Sequence, residues 1–470
     1  MFFRPLIFLR LRTPVLNRSR LTSFSLCRVG RVASRSVSSC AAPFEEEREV
    51  GFQNFYSMTL GEVINDKYKV VAKLGFGSAT TIWCCRNLAW GVRWSPVLTR
   101  YISTNKYVAL KIYAHDLVAE DEIDNETAVY KHLSTAGNPD HPGKMYVRTI
   151  QDSFVVTSRA GNRHQCLVHE VLSNDILNLR FAQPDRKLPE AMLKQFLINL
   201  LLALDYLHSE CHIIHTENID KIQDIKEENI LLGLVDSSIL EQLDTKEIAA
   251  SSLYKVVNGY NLYKSANFGI PTRFGRPFLC DFSLARNGQV EQYHDIQPDP
   301  YRAPEVILEM PWGYAVDIWN VGVMVWDMFE NQHMFDGLDP ETGKYGNRFH
   351  LASIVGLLGP PPLEFLQRSE CSSVYFDDKG MYLILRMCIG QSNMHTTGNW
   401  KCLNPVPSVS WEDSEKNLEA SNKKGFLDFV RKMVRWTPES RASASELLED
   451  PWLLRDTENN RPDEEEDRDQ

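Results

Sequence analysis

The stretch HIIHTENIDKIQDIKEENILL, residues 212–232, decides the fold. It sets an acid, an ammonium and an amide at fixed spacing, Asp224, Lys226 and Asn229, directly before an apolar run that reads as a strand. Just upstream, LPEAMLKQFLINLLLALDYLHS (188–209) repeats apolar residues at helical spacing and predicts a long, buried helix. Further upstream, YKVVAKLGFGSATTIWCC (68–85) shows two alternating strand patterns around Gly75-Phe76-Gly77, and KYVALKIYAHD (106–116) is a further strand carrying Lys111. Glycine is needed where a backbone must approach phosphate oxygens with no Cβ in the way, its N–H groups then serving the anion. Leu74, Gly75, Phe76, Gly77, Ser78, Ala79 and Thr80 therefore read as a nucleotide phosphate clamp, with Thr80 where the G-x-G-x-x-G pattern has its third glycine.

The order of the remaining motifs resembles that of protein kinases. Val108-Ala109-Leu110-Lys111 is similar to the strand whose lysine pairs the α- and β-phosphates. In EDEIDNETAVYKHL (120–133), Glu126 presents a carboxylate to that lysine; Glu122 is the rival, and Val129, Tyr130 and Leu133 on the buried side favour Glu126. CLVHEVLSNDI (166–176) reads as a strand entering a hinge, which puts His169, Glu170 and Leu172 at the adenine pocket beside Ala109. The resemblance gives Asp224 the acceptor hydroxyl proton, Lys226 the γ-phosphate, and Asn229 and Asp281 (in FLCDFSLAR) a magnesium ion. Ala303-Pro304-Glu305 follow, then Asp317 on an apolar helix, and Arg441 is placed to pair with Glu305. The chain is thus identified as a member of the protein kinases. Membership implies an α+β, bilobal fold, β-rich N-lobe and mostly helical C-lobe, with ATP and Mg2+ as cofactors and protein Ser or Thr as acceptor.

HLASIVGLLGPPPLEFL (350–366), Arg302 before Ala303, and the 51 residues between Asn229 and Asp281 resemble the SR-protein kinase branch, in a fungal-type form. That branch implies substrates rich in Arg and Ser. Two features bear on regulation: His215-Thr216 lacks the usual arginine after the histidine, and between Ser283 and Pro304 the only hydroxyls are Tyr293 and Tyr301. Activity independent of activation-segment phosphorylation is expected. Three departures stand against the pattern. Residues 217–223 (ENIDKIQ) are extra within the catalytic loop, where Asp220-Lys221 forms a rival pair without the asparagine; residues 89–104 are extra between two strands; and Ser283 replaces a glycine. Both insertions read equally as intron or splice-site remnants. The alternative function is a pseudokinase scaffold whose loop is broken at 217–223. A small-molecule phosphotransferase is disfavoured by the Ala303-Pro304-Glu305 segment.

The kinase domain is expected over 68–453, with an N-lobe at 68–171, a C-lobe at 172–453, and insertions at 89–104, 217–223 and 233–275. Residues 45–67 read as a linker. The net charge of −11 is unevenly spread. Residues 1–44 hold eight Arg, seven Ser and no acid, a composition of transit peptides or of a disordered basic leader; residues 456–470 carry −6 and read as a disordered tail; the body carries −13. An acidic body argues against direct nucleic-acid binding and is compatible with cationic protein segments. No apolar run reaches the roughly 20 residues of a membrane span. The ten cysteines form no C-x-x-C pair, and Cys84 and Cys85 would face opposite sides of a strand. An intracellular monomer is expected, in cytoplasm and nucleus by resemblance or in the mitochondrion by its leader.

Overall fold

The fold is taken from a computed structural model that describes residues 52–89, 106–216, 225–249, 252–266, 269, 273–293, 295–376 and 409–455. Pro43–Leu454 form one compact unit; the other, Met1–Ala42 with Arg455–Gln470, lies outside the described residues except for Arg455. The basic leader, the acidic tail and residues 217–224, Asp224 among them, are likewise outside.

The N-terminal part is a six-stranded antiparallel sheet in the order β1-β2-β3-β4-β6-β5, made of Val63–Ile64, Tyr68–Gly77, Thr80–Asn87, Tyr107–Tyr113, Ile150–Thr157 (β5) and Arg163–His169 (β6). β-branched and aromatic residues alternate along β3 and β4, which suits a pleated sheet covered on both faces. Cys84 and Cys85 enter different apolar clusters, as alternation requires. Helix α1 (Glu120–Thr135) packs beside β5. Strands β3 and β4 pair in register from Thr80↔Tyr113 to Arg86↔Tyr107, so the extra residues between them leave from a hairpin end; 90–105 lie outside the described residues.

The expected linker is corrected from Phe52 onward. Phe55 and Met58 are buried, Ile64 pairs with Tyr68, and the Phe55 ring sits 5.2 Å from that of Phe76 in the glycine turn. The apolar residues scattered through 55–64 cover the outer face of the sheet, which would otherwise be wet.

Leu172–Asp175 (β7) leaves this sheet and pairs with Ile230–Gly233 (β9), which also pairs with Pro277–Leu279 (β12), while Ile213–Ile214 (β8) pairs with Arg286–Asn287 (β13). The rest is mostly helical. After α2 (Ile176–Phe181), α3 (Glu190–Asp205) is the predicted apolar helix, and Pro304–Ile307 (α5) leads into α6 (Ala315–Glu330), whose residues from Val316 onward are all buried. Gly322 lets α6 approach its neighbour: a Cβ there would lie 2.7 Å from Val434 Cγ2 and 3.0 Å from Met433 Cβ.

The 233–275 insertion is itself structured. It forms helix α4 (Ser238–Ala249) and a hairpin of β10 (Tyr254–Val257) and β11 (Tyr260–Tyr263). Leu240 and Leu243 of α4 share a buried cluster with Ala72, Cys84, Tyr107, Ala109 and Val171. Asp244 accepts from Arg86 Nε and Tyr107 Oη at 2.8 Å each, and Lys106 reaches Glu241 at 2.7 Å. Tyr263 enters the other cluster, edge-on to Trp83 at 5.8 Å, while its carbonyl accepts from the buried Lys73 and Ala266 N donates to Lys73 O.

Candidate active site

The lysine strand and α1 converge on one buried ion pair. Lys111 Nζ lies 2.9 and 3.0 Å from the two carboxylate oxygens of Glu126, and 3.8 Å from Asp281 Oδ1. Burial alone would pull the Lys111 pKa down, but Asp281 and Glu126 outweigh it and hold the ammonium charged. Glu126 is pushed above its ordinary value by burial, with Lys111 opposing. For Asp281, burial pushes up but Lys111, Ser283 and His215 prevail and keep it below the ordinary carboxylate value. Of the two candidate glutamates, the structure seats Glu126 on the lysine.

Asn229 ends a short turn (Glu227–Asn229) just before β9, and Asp281 follows β12 by two residues. Because Ile230 pairs with Leu279, and Asn229 O accepts from Cys280 N at 2.9 Å, the two residues emerge at the same edge of this small sheet. A carboxylate and an amide oxygen are the hard donors a divalent cation such as Mg2+ takes, and Asp281 is kept ionised. Asp281 has φ +62, a left-handed conformation that is strained for a non-glycine residue and recurs at functional sites. Lys226 adjoins Asn229 on the same loop, with buried Ile225 before it.

The framework around these groups is made of motifs singled out in the sequence. Asp317 Oδ2 accepts from His215 N at 2.9 Å and contacts His208 Nε2 at 2.8 Å. His215 Nε2 donates to Cys280 O at 2.9 Å, and Phe282 is wedged between the rings of His215 (4.9 Å) and Tyr130 (5.5 Å). Glu305 and Arg441 form a doubly hydrogen-bonded pair at 2.6 Å, fully buried. Gly75 and Gly77 lie at the end of β2, where Gly77 pairs with Thr80 across Ser78-Ala79. His169, Cα partner of Ala109, donates from Nδ1 to Thr149 O (3.0 Å), and burial holds it neutral. Glu170 and Leu172 span the crossing between the two sheets, where Arg148 Nη2 donates to Glu170 O at 3.3 Å.

Several residues were not legible in the sequence. Gln297, buried at φ +73, donates from Nε2 to Val316 O and Asn320 Oδ1 and accepts from Ala303 N at 2.7 Å. Tyr301 is buried with its hydroxyl on Asp327 at 2.7 Å, which leaves Tyr293 as the exposed hydroxyl of the segment. Asn125 of α1 donates to Ser283 O and Ala285 O, tying that helix to the start of the activation segment. Arg180 of α2 holds Glu227 at 2.7 Å inside the fold. Polar residues between motifs carry no periodic signal; only proximity to Asp281 or Asp224 in sequence could have drawn attention to them.

Comparisons agree with this geometry. The protein kinase domain family model matches residues 263–453. A serine/threonine protein kinase of Aspergillus fumigatus is 42% identical over 421 residues, covering 88% of this chain and 92% of that protein. The serine/threonine-protein kinase SRPK of Physarum polycephalum is 28% identical over 422 residues, covering 85% of this chain and 88% of the other. A solved kinase domain superposes with a TM-score of 0.57 at 20% identity, over 85% of this chain and 99% of its own. The chain belongs to the serine/threonine protein kinase family. Its activity therefore uses ATP, a divalent metal and protein substrates, and its relatives include the SR-type kinases predicted from the motifs.

Proposed function

We propose that this cleft transfers the γ-phosphate of Mg-ATP to serine or threonine in Arg/Ser-rich protein segments, and that the chain acts as a monomer. The observation that carries the site assignment is Lys111 held between Glu126 and Asp281, with Asn229 at the same sheet edge. Lys111 orients the α- and β-phosphates, the Gly75–Gly77 turn covers them, and Ala109, His169, Glu170 and Leu172 border the adenine. Asp281 and Asn229 would hold the metal, which supplies charge neutralisation on the phosphates. Asp224 takes the proton as the acceptor oxygen forms its bond to γ-phosphorus and the bond to the β-phosphate oxygen breaks, with Lys226 stabilising the transferred group.

The Arg/Ser preference is supported by the acidic body and by the SR-type relatives. It is tested by phosphotransfer from Mg-ATP to an Arg-Ser peptide and to a neutral Ser peptide of equal length. At least about tenfold preference for the first is expected; equal rates would remove the Arg-Ser assignment.

A further inference from the structure

We propose that Asn125 and Ser283 act as one positioning link that aims Asp281 at the metal, so that the serine standing where the kinase pattern has a glycine is a working part of the cleft. The inference rests on the metal role given to Asp281 above. Asp281 sits at φ +62, and a non-glycine residue stays in that strained conformation only where its surroundings over-determine it. Ser283 supplies part of that constraint. Its N–H reaches Asp281 Oδ1 at 3.5 Å, and its hydroxyl donates to the same carboxylate. A glycine would keep the first contact and lose the second, and would return to the backbone the freedom that a Cβ removes.

Asn125 closes the link from helix α1. Its side-chain amide donates to Ser283 O at 2.9 Å and to Ala285 O at 3.3 Å, across a turn in which Ala285 N donates to Phe282 O. Directly after this turn, Arg286 and Asn287 pair with Ile214 and Ile213 ahead of His215, so the amide grips the stretch between the metal-binding carboxylate and its first sheet anchor. The next residue of α1 is Glu126, which holds Lys111, and Lys111 in turn lies 3.8 Å from Asp281. Contacts thus run in a closed ring from Asn125 through Ser283, Asp281, Lys111 and Glu126 back to α1. The link is made of neutral groups. A cation in place of Asn125 would oppose a bound metal ion, whereas an amide and a hydroxyl fix the geometry and leave the Asp281 charge to the metal and Lys111.

The test titrates the full chain with Mn2+, a paramagnetic stand-in for Mg2+, in the presence of a non-hydrolysable ATP analogue, and reads bound metal by electron paramagnetic resonance. Asn125→Ala and Ser283→Gly should each weaken Mn2+ binding about 3–10-fold, the effect of losing a hydrogen bond or two, with the analogue's affinity in the absence of metal changed less than about twofold. Asn125→Asp, which keeps the side-chain size and replaces both donors by oxygen, should weaken it as much, and carries the test where the alanine variant does not fold. In the double variant Asn125→Ala, Ser283→Gly the loss should fall short of the product of the two single losses, because either change alone already breaks the link. Parental Mn2+ affinity in these single variants, with binding lost in Asp281→Asn, would overturn this inference and leave the metal assignment standing. Losses that multiply in the double variant would also overturn it, since the two residues would then act separately, as would a fall in metal-free analogue affinity as large as the fall in Mn2+ affinity. Mn2+ held as tightly by Asp281→Asn as by the parent would overturn the metal assignment and the inference together.

Discussion

Asp244 and Arg86, 158 positions apart in the chain, meet side chain to side chain: a helix inserted after the catalytic loop is ion-paired to the second full strand of the nucleotide sheet. Asp244 is buried and also accepts from Tyr107, so its removal strands two donors. Asp244→Ala should cost on the order of 1–3 kcal/mol, read as a lower midpoint in denaturant, and should raise KM for ATP more than it lowers kcat, because the cluster it supports includes Ala109. A variant as stable as the parent would show that the contact contributes nothing.

Removing charge from the centre should separate binding from chemistry. Asp281→Asn keeps the shape of the side chain but loses the anion facing Lys111 and the metal, and a drop in kcat of roughly 10²–10³-fold is expected. Chelation of divalent metal should abolish transfer by the parent chain. Glu126→Gln should act less severely, since Asp281 remains 3.8 Å from Lys111. The check is steady-state kinetics at saturating ATP; an Asp281→Asn chain with parental kcat would refute the metal assignment.

Activation-segment order rests on a neutral amide. Gln297 makes three hydrogen bonds from inside the fold, and His215-Thr216 offers no arginine for a phosphate. Phosphatase treatment should therefore leave activity unchanged, whereas Gln297→Ala, which keeps a left-handed backbone without its compensating bonds, should reduce kcat/KM about 10–100-fold. Loss of activity after phosphatase would contradict this.

Residues 217–223 enter the catalytic loop between anchored ends. On one side His215 is bonded to Asp317 and Cys280; on the other Ile225 is buried and Glu227 is held by Arg180. Lengthening a loop between fixed ends costs little, under about 1 kcal/mol per doubling. Deleting 217–223 should change kcat by less than about tenfold. Activity confined to the shortened chain would instead make the full chain the scaffold of the alternative reading.

Glu227 also sets a pH dependence. Burial outweighs its bond to Arg180 and raises its carboxyl to about 7 from 4.5. A folded value above the unfolded one favours the protonated fold, so this contribution is complete below pH 4.5 and is lost as pH rises through 7. The parent should lose more Tm between pH 5 and 8 than Glu227→Gln, which cannot titrate. Parallel Tm curves would rule the effect out.

Much of this architecture could be read from motif spacing together with the resemblance to protein kinases. The glycine turn, Lys111 with Glu126, Asn229, Asp281, Asp317 and the Glu305–Arg441 pair all belong to segments whose apolar pattern fixes a strand or helix around one charged residue. The pieces that escaped notice have no such pattern. Tyr263 and Leu240 look like residues of a polar insertion, and Phe55 and Met58 like residues of a linker, because their apolar partners lie far along the chain. Gln297 and Asn125 act through single amide bonds, which no periodicity announces.

The placement of Tyr263 bears on how the molecule is made. Its ring joins a core that includes Met58, Ile64, Tyr68, Trp83 and Val108, and Leu240 with Leu243 joins the cluster on the opposite face. Synthesis runs from the first of these residues to the last, so the nucleotide sheet leaves the ribosome before Tyr263, Leu240 and Leu243, which complete its two apolar clusters, have been made. At roughly 5–20 residues per second, the 92 positions from Val171 to Tyr263 take on the order of 5–20 s. A fragment ending at Val171 therefore lacks the side chains that complete both clusters.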